Sequence, residues 1–339
     1  MTSDEAVLEE RLSRPTPAVV DAVGRLDGDL MLLGAGGKMG PSLARLARRA
    51  LDQAGVRRRI IAVARFSDAR LRTRLDAEGI DTVACDLLDQ EQIARLPEAP
   101  NLIYLVGRKF GTTDEDGSTW ALNAYLPGVI AERFPRAKIV AFSTGNVYPF
   151  ATTASEGPDE TAATGPVGEY AQSAVARERI LGFFSRRNAT PMAILRLNYA
   201  IEPRYGVLRD IADRVFERRP VNLVMGWVNV IWQRDANAIA LRALSHCSVP
   251  PLVLNVAGRP AYAVRWLAEQ FGRRWKLEPV FEGVEEPTAL LSSAARMEAL
   301  FGTPEVRIEE MVEQVAAWVE AGGRSLNKPT RFEARDGKF

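Results

Sequence analysis

The sequence predicts an α/β protein with a doubly wound parallel sheet and a smaller C-terminal substrate-binding lobe. Three observations carry this. Apolar runs such as "RRIIAVARF" and "NLIYLVG" alternate with helical patterns, a glycine-rich turn follows the first run, and the rhythm loosens beyond residue 200. Runs that are apolar throughout, rather than alternating, are strands covered on both faces, as parallel strands with helical crossovers are. The 339 residues, 47% of them hydrophobic, supply a core for one large or two medium domains.

In chain order, residues 1–28 read as a helical extension interrupted by Pro15 and Pro17. "DLMLLGAGGKMGPSLARLARRALDQAG" then passes from strand through turn into a helix with Leu43, Leu46, Ala47 and Leu51 on its apolar face. "RRIIAVARF", "IDTVACDLL", "NLIYLVG", "AKIVAFST" and "PMAILRLNYA" follow as strands. Between them come helices in "LRTRLDAEG", in "DQEQIARL", over about 119–134 and from near 169, closing a dinucleotide-binding domain over 29–200. "DANAIALRAL", with Asp235 as its N-cap, is a helix that returns 228–246 to that domain. Residues 201–227 and 247–322 are assigned to the substrate lobe, and 323–339, poor in apolar residues, to an extended tail.

Composition excludes several classes. Lys and Arg number 44 against 43 Asp and Glu, so no charge excess steers the chain to nucleic acid or an anionic membrane. Cys85 and Cys247 form no CxxC pair, and the single histidine, His246, rules out histidine triads and polyhistidine metal sites. No metal is expected. The first residues lack the apolar stretch of a signal peptide, and no run nears the ~18 apolar residues of a membrane span, so a cytoplasmic protein is expected.

In "GAGGKMG", glycines stand at 34, 36, 37 and 40, between a strand and a helix. Glycines there permit the tight turn, let the backbone of Lys38 and Met39 approach a pyrophosphate, and let the helix pack closely. Met39 after Lys38 breaks the GK[ST] pattern of a triphosphate loop. The loop makes the sheet Rossmann-type and the cofactor NAD or NADP. At the end of the second strand stand Ala64, Arg65, Phe66 and Ser67, with no carboxylate for a ribose 2′-hydroxyl; Arg65 favours NADP.

These segments, from about residue 29 to 322, resemble the extended short-chain dehydrogenase/reductases of the NAD-dependent epimerase/dehydratase group. The resemblance implies the following roles. Gly34, Gly37 and Gly40 are its GxxGxxG, Asp86 and Leu87 line the adenine pocket, Val106 and Gly107 back the nicotinamide, and Asn123 is the helix asparagine. "FSTGNVYPF" places Thr144 at the catalytic serine or threonine position, and "EYAQSA" is the YxxxK motif with Tyr170 kept and its lysine replaced by Ala174. In the family that lysine binds the nicotinamide ribose and lowers the tyrosine pKa. Without a nearby cation, Tyr170 is expected to stay a proton donor at neutral pH.

Of two cations weighed as substitutes, Lys109 is the better placed. Arg177 lies seven residues beyond Tyr170, roughly 10 Å along a helix, on the same face but outside its immediate neighbourhood. Lys109, directly after the fourth strand, is in a loop that converges on the ligand crevice, and is either the substitute or a solvated loop lysine.

Asn146, Asn198 and Arg204 are candidates for substrate contacts, with loop capping the alternative for Asn198. Trp227, Asn229, Trp232 and Gln233 either present a sugar-stacking surface or belong to the core. The resemblance implies an enzyme acting on a secondary alcohol of a sugar, sugar acid or nucleotide sugar through a transient ketone. Epimerisation, dehydration and net oxidation all remain open, as does a homodimer. The alternative class is an NAD(P)-binding sensor or scaffold that has lost catalysis, for which Ala174 argues and the retained Thr144 and Tyr170 argue against.

Overall fold

The computed structural model describes residues 4–109, 116–328 and 330–338. The extension holds two short helices, α1 (Glu5–Leu12) and α2 (Pro17–Gly24), each opened by a side-chain cap, from Asp4 and Thr16 respectively. Pro17 does not break α2 but starts it, because the first turn has no use for the missing N–H. There follow β1 (Leu30–Leu33), α3 (Gly40–Ala54), β2 (Ile60–Ala64), α4 (Ala69–Ala77), β3 (Asp81–Ala84), α5 (Gln90–Ala94) and β4 (Asn101–Tyr104). A broken helix comes next: α6 (Asp116–Trp120), a π-helical turn (Ala121–Tyr125) and α7 (Leu126–Arg133). Then come β5 (Lys138–Thr144), α8 (Gly168–Asn188), β6 (Met192–Leu197), α9 (Val207–Phe216) and α10 (Gln233–Ala243). The described chain closes with β7 (Leu252–Val256), α11 (Val264–Trp275), α12 (Ala295–Phe301) and α13 (Ile308–Glu320).

The seven strands form one parallel sheet in the order β7-β6-β5-β4-β1-β2-β3. The chain reverses its direction of winding next to β1, and ligands bind beyond the strand ends at such a switch point. Strands β1, β2 and β4 are buried at every position, as the uninterrupted apolar runs require. One apolar cluster on the sheet joins α2, α3 and α10 through Val19, Leu46 and Ile239. The opposite face packs Leu126, Ile130 and Leu181 against Met31, Ile61 and Leu102. A separate core in the C-terminal lobe gathers α9, α11 and α13 around Ile211, Phe271 and Val315, and Leu8 and Leu12 of α1 join it.

Two sequence assignments change, and one left open is decided. Strand β7, placed in the lobe with 247–322, pairs with β6 from Leu252 to Val256 and forms the edge of the main sheet. Asp235 does not cap α10. It lies in the first turn, where its carboxylate pairs with Arg234 and accepts the Val306 N–H at 3.0 Å. Trp232 and Gln233 are buried and Asn229 is bonded to Asn198, so these form core rather than a sugar platform. The tail has no regular secondary structure but is docked, with Thr330 and Phe332 buried.

Candidate active site

A cleft of about 310 Å³ opens at the carboxyl ends of β1, β4, β5 and β6 and faces the lobe. Its floor is the glycine loop. Gly34 has a φ of +90°, and a Cβ there would lie 3.0 Å from the Val106 backbone nitrogen, so the β1 and β4 ends pass too closely for any side chain. A Cβ at Gly40 would lie 2.3 Å from the Ala35 carbonyl oxygen, which sets the close seating of α3 on its loop. No side chain caps α3, so its first N–H groups are left to an anion in the cleft. These features fit a dinucleotide pyrophosphate.

Above the loop sits a hydroxyl pair. Thr144 ends β5, and Tyr170 lies in the first turn of α8; both side chains line the cleft, where the Thr144 hydroxyl favours the ionised form of the Tyr170 phenol. The Thr144 hydroxyl donates to Asn146 Oδ1 at 3.0 Å and accepts the Asn146 N–H at 3.2 Å. Burial pushes the Tyr170 phenol above the ordinary tyrosine range, while Thr144 and the positive charge of Arg177 pull it back. Tyr170 is therefore protonated at neutral pH, as the absence of the lysine implied.

Three cations line the cleft. Lys38 reaches from the glycine loop to the lobe, where its Nζ donates to the Ala200 carbonyl at 2.6 Å and lies 3.8 Å from the Tyr205 ring centre. Burial depresses its pKa to about 7. Lys109 Nζ donates to the Thr330 carbonyl at 3.3 Å, and burial lowers it to about 8 against the opposing pull of Asp210 and Glu333. Arg177, set aside in the sequence as too distant along the helix, lines the same cleft.

The other sequence candidates divide. Gly37, Met39, Val106, Gly107, Asn146 and Asn198 face the cleft. Gly36 abuts Ala64, whose Cβ would stand 3.1 Å from one at Gly36, consistent with an approach of the loop to β2. Arg65 and Asp86 are exposed beyond β2 and β3, outside the cleft, and Leu87 is buried in the core below. Asn123 does not line the cleft either. Its side chain accepts from the Arg108 N–H at 2.8 Å and donates to the Arg108 carbonyl at 2.9 Å, so it pins the loop after β4. Arg204 is turned away from Tyr170 into an ion network, paired with Glu202 at 3.1 Å and Glu9 at 2.6 Å. Asn198 donates to Asn229 Oδ1 at 2.9 Å, the loop-bracing role held as its alternative.

Tyr199, Tyr205 and Thr330 complete the lining and were missed in the sequence. For the tyrosines a signal existed, since "NYAIEPRY" directly follows a strand end. Tyr199 takes a φ of 44°, the left-handed strain that side chains accept where surrounding structure fixes them. Nothing local marks Thr330. It is held by Asp210, whose carboxylate accepts both the Thr330 N–H at 2.8 Å and its hydroxyl at 2.6 Å.

Among the described residues no helix is long and apolar enough to cross a membrane, and no group of three or more His, Cys, Asp or Glu could hold a metal ion. The sequence pattern of the NAD dependent epimerase/dehydratase family matches residues 30–256. No curated protein matches the chain. Solved structures with the same architecture include UDP-glucose 4-epimerase of Thermotoga maritima with UDP-glucose, at TM-score 0.70 and 17% identity over 87% of this chain and 99% of that one. UDP-glucuronic acid 4-epimerase of Bacillus cereus in complex with NAD superposes at TM-score 0.72 and 14% identity over 87% of this chain and 100% of that one. An epimerase of Methanothermobacter thermautotrophicus gives TM-score 0.72 at 15% identity, over 90% and 96%.

Proposed function

Since the chain belongs to the NAD dependent epimerase/dehydratase family, we propose that it oxidises and re-reduces a secondary alcohol of a sugar, sugar acid or nucleotide sugar through a transient ketone. The observation that carries this reading is the Thr144–Tyr170 hydroxyl pair set above the glycine loop in one cleft. The dinucleotide, when bound, supplies the hydride acceptor and donor. Gly34, Gly37, Gly40 and the uncapped start of α3 would hold its pyrophosphate, and Val106 and Gly107 would flank its nicotinamide end. Exposed Arg65, with no carboxylate placed beside it, supports NADP over NAD. Asp86 and Leu87 remain the adenine-side candidates.

The proton work falls to Tyr170. As a phenol it donates to a ketone oxygen and is left as the phenolate; in the opposite direction that phenolate takes the proton of the substrate hydroxyl and becomes the phenol again. Thr144, tethered by Asn146, fixes the same oxygen. Lys38 and Lys109 offer positive charge to anionic parts of the ligands from the opposite wall. The alternative of a sensor or scaffold draws on Ala174 alone, and the intact hydroxyl pair argues against it.

Calorimetric titration with NADP, NADPH, NAD and NADH tests the cofactor half. The preferred oxidised form, incubated with a panel of sugars, sugar acids and nucleotide sugars, is then followed by nicotinamide absorbance and by mass spectrometry and NMR of the products. Turnover of one substrate, reduced about 10²- to 10⁴-fold in Tyr170→Phe, is the expected result. Cofactor binding without any product across the panel would favour the sensor.

A further inference from the structure

A buried tyrosine that exchanges protons needs a positive charge nearby, since desolvation alone favours the neutral phenol. Position 174, one turn along α8, does not supply it. Ala174 is 1% exposed and packs with Val147, Tyr148 and Val175, so the place is filled by apolar contact. One further turn on, at two turns from Tyr170, Arg177 returns to the same helix face.

Three features set Arg177 apart. It is 6% exposed, yet its guanidinium bonds only neutral acceptors: the Asn123 carbonyl at 3.0 Å, Asn123 Oδ1 at 2.9 Å and the Phe142 carbonyl at 2.7 Å. Among the described residues no carboxylate neutralises it, whereas buried Arg196 is paired with Glu178 and buried Arg45 with Glu9. A buried charge left without a counter-charge is costly, so a site that keeps one has a use for the field it projects. The guanidinium also ties together the strand ends that build the site. It grips β5 two residues before Thr144 and lies against Gly107, whose Cβ would meet Nη2 at 3.1 Å. Finally, a guanidinium stays protonated at every accessible pH, whereas the amines of Lys38 and Lys109 lose their protons near neutrality.

We propose that Arg177 is the positioning residue of the Tyr170–Thr144 pair, supplying from two turns along α8 the fixed positive charge that Ala174 lacks. The proposal rests on the redox reading above in assigning Tyr170 the proton. The charge stabilises the phenolate that takes the proton of the substrate hydroxyl, and that forms again when Tyr170 protonates the ketone, and the bond to Phe142 keeps Thr144 in register with it. Thr144 from β5 and Tyr205 before α9 act on the phenol as well, and Lys38 from the glycine loop and Lys109 from the loop after β4 line the same cleft.

The test uses the full chain without ligand. A fluorinated tyrosine at 170 brings phenol ionisation into an accessible range, and its fluorine NMR signal is followed against pH in the parent, Arg177→Lys, Arg177→Met and Arg177→Gln. The expected result is a midpoint about one unit or more higher in Arg177→Met, largely restored in Arg177→Lys. Arg177→Gln keeps hydrogen-bonding capacity without charge and serves if Arg177→Met does not fold; it is expected to shift in the same direction. A midpoint unchanged in either folded neutral variant overturns the proposal. The substrate panel with product detection on the parent protein keeps the two ideas apart: loss of the redox reading shows as no product from any substrate, while the phenol titration answers independently.

Discussion

Lys38 and Lys109 put two amines of depressed pKa, about 7 and about 8, on one wall of the cleft. As pH rises through that range both lose their charge, so an anionic dinucleotide is expected to bind more weakly at pH 9 than at pH 6.5. Calorimetry across that window checks it, and Lys38→Met should flatten the dependence. Stability runs the opposite way. Each amine has a lower pKa folded than unfolded, so the unfolded chain holds more protons between about 7 and the ordinary 10.5 of lysine. The destabilisation from burying Lys38 is therefore full below pH 7 and fades as pH rises through that interval. The places of Thr144 and Tyr170 in the cleft were legible because each stands in a local motif. Arg177 was not, because a distance measured along the helix axis ignores the reach of a long side chain across the cleft floor.

At the scale of elements, the joint between the glycine loop and α3 is the tightest in the cleft. Gly40→Ala would drive a methyl into the Ala35 carbonyl, and a loss of about 1–3 kcal/mol is expected in urea denaturation, with dinucleotide binding weakened in parallel. The tail is an element of another kind, anchored by Phe332 in the lobe core, by Thr330 on Asp210 and by Arg335, which donates to the Thr288 carbonyl at 2.7 Å and lies over the Phe150 ring. Phe332→Ala should release it, seen as early protease cleavage within 323–338 while the body stays intact. Composition alone read this segment as an extended tail. A few anchors spaced along a polar stretch leave no periodicity, so the sequence could show its lack of helix or strand but not its docking.

Across the whole molecule, the parallel sheet was readable because strands buried on both faces are apolar at every position. Strand β7 carries the same signature in "PLVLNV" and was nevertheless assigned to the lobe, since nothing in a strand's own residues says which sheet edge it joins. The lobe and the sheet are bolted by Glu9 of α1, which pairs with Arg45 of α3 at 2.8 Å and with Arg204 before α9 at 2.6 Å. Both arginines are buried but each keeps a second carboxylate, Glu78 at 2.6 Å for Arg45 and Glu202 at 3.1 Å for Arg204, so Glu9→Ala should cost about 1–3 kcal/mol in chemical denaturation, more than a surface pair would. The tail bears on a different question, that of timing. The glycine loop at 34–40 and the Thr330 wall it faces are made at widely separated moments of synthesis. A nascent chain on the ribosome can close its sheet before residue 330 has emerged, yet at that stage its cleft still lacks a side. The chain thus passes through a folded but unfinished form, and a stalled ribosome would display a protein with its hydroxyl pair in place and its cleft open to water.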